Sequence, residues 1–111
     1  MENKVYDEKA ALEMVDNDSE LLSILLNSFL ETEFDIKQLV KLINEKKYEE
    51  AASYTHRVKG AGRQIAAVKL ASAGQKVEDV LRKKTTGDLK LLLTELNHSY
   101  TETVTEIKKH V

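Results

Sequence analysis

The chain contains no cysteine, no proline and no tryptophan, and four Tyr and two Phe supply all of its aromatic rings. Without cysteine there are no disulfides, thiol nucleophiles or cysteine-ligated metals. Without proline, and with only four glycines, few positions force a helix to stop, which favours an all-helical fold. No apolar run nears the roughly 18 residues of a membrane span, and no signal peptide is visible. A soluble, cytoplasmic protein without membrane contact is therefore expected. An excess of one charge is missing too. Seventeen basic residues face 19 acidic ones, for a net charge of −2, so the basic stripe of a nucleic-acid binder is absent.

What remains is a 41% apolar, 32% charged composition, typical of a globular chain whose core is built from Leu, Val, Ile and Ala. A length of 111 residues suits one domain spanning 1–111, and one self-contained bundle suggests a monomer. YDEKAALEMV suits a short first helix. Asn17 or Asp18 can cap a second, with Glu20 placed to complete a capping box behind Asn17. From there Leu22, Leu25, Leu26, Phe29, Ile36, Leu39, Val40 and Ile43 keep helical spacing, which predicts one long helix ending in NEKK. A third helix starts near Tyr48, with Tyr48, Ala51, Thr55, Val58, Gly62 and Ile65 inward. A fourth runs from about Ala67 to Arg82. KKTTGD is a clear break, and a last helix carries Leu89, Leu92, Leu93, Leu96, Tyr100, Val104 and Ile107 on one side. Four amphipathic helices with short connections imply an antiparallel four-helix bundle with a short extra N-terminal helix.

The third helix holds THRVKGAGRQ, with two glycines in mid-pattern. Each costs roughly 1 kcal/mol relative to alanine there. Gly62 points inward and suits close helix packing. Gly60 does not. His56 lies roughly 120° from the centre of the apolar stripe and faces solvent. Ala52 and Gly60, four residues to either side, are both small, and with Arg63 they form its expected partner-binding surface. Neighbouring apolar residues of the second helix would extend that surface. A neutral imidazole is a competent nucleophile near neutral pH. Attack on a phosphoryl group would create negative charge beside Lys59, one turn on, with Arg63 in reach from the next turn. Alone, a surface histidine with a lysine three residues later is an ordinary helix feature.

HRVKGAGRQIAAVKL resembles the signature of histidine-containing phosphotransfer (HPt) domains, in which His, Lys and Gly are followed by small residues and, ten positions past the Gly, a Leu. His56, Val58, Lys59, Gly60 and Leu70 fit. The short helix, acidic turn, long helix and alanine-rich approach to the histidine extend the resemblance over nearly the whole chain. It implies a four-helix bundle presenting a phosphorylatable His56, a relay between the aspartyl phosphate of one receiver domain and another receiver. Lys59 would lie beside the phosphoryl group, and Gly60 would leave room for the docking receiver. Glu78, 22 positions past His56, falls where several members carry a Gln that holds the second ring nitrogen. Ala66 and Gln64 depart from the Gly and Asn of many members, and Ala66 bears on the closeness of the turn that follows.

On this reading the chain is no enzyme. It has no phosphate-binding loop and no kinase motif, needs no cofactor of its own, and relies on its partner receiver for Mg²⁺. The alternative within the resemblance is a docking module that binds receivers without accepting phosphate. A metal-binding bundle is the other competitor, because Glu95 and His98 form one Glu-x-x-His element. A di-metal site needs two of these and further inward carboxylates. His110, near the end of the last helix, is expected to be inert.

Overall fold

The computed structural model describes residues 5–111, and the first four residues of the expected 1–111 unit lie outside them. All regular structure among the described residues is helical: α1 (Glu8–Met14), α2 (Ser19–Glu31), α3 (Ile36–Asn44), α4 (Tyr48–Gln64), α5 (Val68–Leu81) and α6 (Leu89–Ile107). Aspartates start four of them. Asp7, Asp18, Asp35 and Asp88 each accept a hydrogen bond from a backbone N–H in the first turn that follows. Such a cap contributes about 1 kcal/mol.

Two local expectations are corrected. The capping box behind Asn17 does not form. Asn17 sits in the left-handed region at φ 61°, and Asp18 caps α2 by accepting from the N–H groups of Glu20 and Leu21. The long second helix is also two helices. Phe29 and Ile36 are seven residues apart, a spacing that a continuous helix and this broken one both satisfy. The chain parts at residues 32–35, where Asp35 turns its side chain to cap α3. Two tyrosines from elsewhere satisfy the freed backbone. The Asp35 N–H donates to the Tyr54 hydroxyl at 2.7 Å, and the Tyr100 hydroxyl donates to the Thr32 carbonyl at 3.2 Å. Phe34 packs between those two rings, 5.6 and 5.1 Å from their centroids.

The glycines do not make the turns. No glycine has positive φ; Asp16, Asn17, Lys46, Ala66 and Lys83 do. Asp16, Lys46, Ala66 and Lys83 each follow a helix in the left-handed conformation. The next N–H then bonds back into the last turn, Asn17 to Leu12, Lys47 to Leu42, Ala67 to Gly62 and Lys84 to Asp79, at 2.7 to 2.9 Å. A residue with a Cβ costs roughly 1–2 kcal/mol in that conformation. Ala66, at φ 58°, thus makes the α4–α5 turn that a glycine makes at lower cost, and the turn stays tight.

Two of the glycines, Gly62 and Gly74, instead set how closely α4 and α5 approach, and these two helices form the most extensive pairing in the molecule. A Cβ on Gly62 would lie 3.2 Å from Leu70 Cδ2, and one on Gly74 would lie 3.0 Å from Lys59 Cβ. Contacts that step forward along α4 and backward along α5, from His56–Glu78 through Lys59–Gln75 to Gly62–Leu70, define an antiparallel hairpin. α6 packs against α5, burying Leu96 and Ile107 completely in a core shared with Leu39, Val58, Ile65, Leu70 and Val77. His110 pairs with Glu8 at 2.7 Å and meets the Tyr6 ring edge-on at 5.0 Å, which joins the segment around α1 to the turn after α6.

Candidate functional site: the exposed histidine and its buried carboxylate

His56 stands midway along α4, its side chain 59% exposed. Glu78 does reach it. The carboxylate of Glu78 is almost fully buried on α5, and both its oxygens lie 3.2 Å from His56 Nδ1. The same carboxylate binds Lys59 Nζ at 2.7 Å and Arg82 Nε at 2.8 Å. Burial alone pushes the Glu78 carboxyl up from its ordinary 4.5. Hydrogen bonds from Lys59, Arg82 and His56 outweigh that and hold it at about 2. At neutral pH Glu78 is therefore an anion that can only accept. The proton facing it must sit on Nδ1, so in the neutral ring the lone pair lies on Nε2, the nitrogen that does not face Glu78.

The structure moves two of the expected surface residues inside. Ala52 is fully buried, beside Leu81 and Arg82 at the end of α5, so its side chain is no part of an exposed partner surface. Lys59 is 5% exposed and is not a free surface cation. Its ammonium is held between Glu78 and the Gln75 carbonyl, the latter at 3.0 Å. The cause is a rotation of the buried stripe. Tyr48, expected inward, is 41% exposed, while Ala51, Ala52, Thr55, Val58, Lys59 and Gly62 are buried. The close contact with α5 at Gly74 draws the face carrying Ala52 and Lys59 under cover.

Gly60 and Arg63 remain accessible. A Cβ added at Gly60 would meet nothing within 4 Å, so the surface beside the histidine is open. Arg63 donates to Gln75 at 3.2 Å, and Gln75 in turn donates to Asp79 at 2.8 Å. Gln75, Arg82 and Gly74 were not singled out by sequence. Arg82 carries a readable signal, being four residues after Glu78 on one helix. Gln75 follows once His56 is set opposite Glu78, because stepping three residues in opposite directions pairs it with Lys59. Met14 of α1 and Val68 of α5, each 56% exposed, share a groove with Arg63 and Gln75.

Among the described residues no three His, Asp or Glu side chains converge to hold a metal ion. The Glu95–His98 element is not assembled into one. His98 instead pairs with Glu102 at 3.2 Å, its side chain 70% exposed.

A family model described as the Hpt domain matches residues 20–108. The chain belongs to the Hpt domain family. No curated protein and no solved structure matches it significantly. Hpt domains are helical phosphocarrier modules that pass phosphoryl groups through a histidine in two-component phosphorelays and interact with receiver domains. The matched region runs from α2 to the end of α6 and so contains the whole constellation around His56. No helix among the described residues is long and apolar enough to cross a membrane.

Proposed function

We propose that His56 is the phosphoacceptor, and that this Hpt domain takes a phosphoryl group from the aspartate of one receiver domain and yields it to another. The observation that carries this reading is the pairing of an exposed ring, on Nδ1, with a buried Glu78 carboxylate that is ionised at neutral pH. The Nε2 lone pair attacks phosphorus, and the bond from phosphorus to the aspartyl oxygen breaks, returning its electron pair to the aspartate carboxylate. The ring then bears phosphorus on Nε2 and hydrogen on Nδ1. That cationic ring faces the Glu78 anion, so the protein stabilises the charge that the transfer creates. Reversal toward a second receiver uses the same geometry.

Lys59 and Arg82 hold Glu78 in place and ionised, which makes Lys59 serve the phosphoryl group through the carboxylate. Gly60 gives a docking receiver clearance beside the ring, and Arg63 borders that surface. Catalytic acceleration comes from positioning within the complex. The domain needs no nucleotide, and the receiver supplies Mg²⁺ with its aspartate.

The test is incubation with a phosphorylated receiver or an active hybrid kinase. The expected result is an acid-labile, alkali-stable label on the wild-type chain that is lost in His56→Gln. A label that persists in that variant, or none from any donor tested, would overturn the assignment.

A further inference from the structure

The end of the α4–α5 hairpin below His56 carries charge that the composition as a whole conceals. Two turns meet there, the α3–α4 turn and the start of the α5–α6 connection. They border an open cleft of about 800 Å³. Lys46 and Lys47 come from the first turn, and Arg82, Lys83 and Lys84 from the second. All five are exposed, in a chain whose net charge is −2. Glu49 and Glu50 also line the cleft. They occupy the first turn of α4, where their charge offsets the partial positive charge of the helix N-terminus.

Helix chemistry does not ask for lysine at several of these positions. Lys46 and Lys83 adopt φ 60°, the left-handed conformation that favours Gly or Asn. Lys47 occupies the N-cap of α4 and makes no side-chain cap hydrogen bond. A Ser or Asp there would contribute about 1 kcal/mol, and a cation at a helix N-terminus opposes the macrodipole. The nearest anion to Lys47, Glu45 at 3.4 Å, is also exposed. Positions that break the local rule without a local gain point to a role outside the fold.

We propose that this basic end is a docking surface for the acidic face of the receiver that exchanges phosphate with His56. The proposal rests on the phosphoacceptor reading above. A receiver that carries an aspartyl phosphate and holds Mg²⁺ surrounds its reacting atom with carboxylates, so its approach to His56 presents negative charge. Lys47 precedes His56 by nine residues of helix, about 13 Å along the axis. A standard interface of about 800 Å² per partner has a radius of about 16 Å, so one domain centred on His56 covers the basic end as well. Arg82 joins the two regions, touching Glu78 at the site and lining the cleft. The surface acts on encounter, raising the association rate at low ionic strength.

The test uses the full chain and a phosphorylated receiver that labels it. The second-order transfer rate is measured from low to high salt for wild type and for Lys46→Asn/Lys47→Ser/Lys83→Asn/Lys84→Gln. The first three changes suit the local backbone better than lysine, so the variant should melt at or above the wild-type temperature. Its transfer rate should fall about tenfold at low salt and converge on wild type at high salt. Lys108→Gln/Lys109→Gln, at the far end of α6, removes two charges without touching the cleft and should keep the wild-type salt dependence. A fourfold variant within twofold of wild type at low salt, or slower by one factor at every salt concentration, overturns the surface while leaving His56 as acceptor. So does slowing by the α6 control of the same size per charge removed, which would make net charge the cause. Absence of label on wild type from every receiver overturns the acceptor reading and this one with it.

Discussion

His56 and His98 are built from the same parts. Each stands exposed on a helix, and each lies 3.2 Å from a glutamate that also binds a lysine: Glu78 with Lys59, Glu102 with Lys69. The difference is the depth of the carboxylate. The Glu78 side chain is 8% exposed and gathers a second cation, Arg82, whereas Glu102 is 32% exposed and its lysine 40%. Water screens the second cluster and leaves its charges free to exchange partners. At the first, the carboxylate is fixed in place and ionised while the imidazole still reaches solvent. His56 is therefore distinguished from His98 less by its own exposure than by the burial of the carboxylate behind it.

The largest test of that contrast is stability. Glu78→Ala leaves the Lys59 ammonium buried without its anion and should cost about 3–5 kcal/mol in urea unfolding. Glu102→Ala should cost less than about 1 kcal/mol. Similar losses at the two positions would erase the distinction.

Acid unfolding sharpens it. Because folding lowers the Glu78 carboxyl from 4.5 to about 2, its contribution is fully present above pH 4.5 and is lost as the pH falls through 2. The shift corresponds to about 3 kcal/mol. Glu78→Gln should flatten that limb of the stability curve, while Glu102→Gln should leave it unchanged. A wild-type limb retained in Glu78→Gln would show that other carboxylates carry it.

The smallest effects come from the two glycines that border the site. Gly60→Ala, in open space, should gain roughly 1 kcal/mol of helix propensity. Gly74→Ala should gain nothing, because its methyl meets Lys59 Cβ at 3.0 Å, an atom fixed to the backbone. Equal stabilisation of the two variants would mean that the α4–α5 approach is looser than it looks.

Much of the site could be read from local pattern. Spacing placed His56 outward and Gly62 inward, and the family resemblance marked Glu78, Lys59 and Gly60. The misplacement of Ala52 and Lys59 came from centring the buried face on a stripe that began at Tyr48, which is exposed. Lys59 is polar yet buried because its ammonium is neutralised by Glu78, a residue 19 positions later in the chain. The break between α2 and α3 was hidden for a similar reason. Nothing near Thr32 forbids a helix, and the hydroxyls that satisfy its interruption belong to Tyr54 and Tyr100.

The helical class, most helix boundaries and the exposure of His56 follow from local pattern, because periodicity, aspartate caps and the lack of proline act within a few residues of where they occur. Tertiary structure decided which carboxylate is buried, which lysine is neutralised and where a helix yields to a turn. Those outcomes depend on desolvation and on hydrogen-bond partners that only the packing of α4 against α5 and α6 brings within reach.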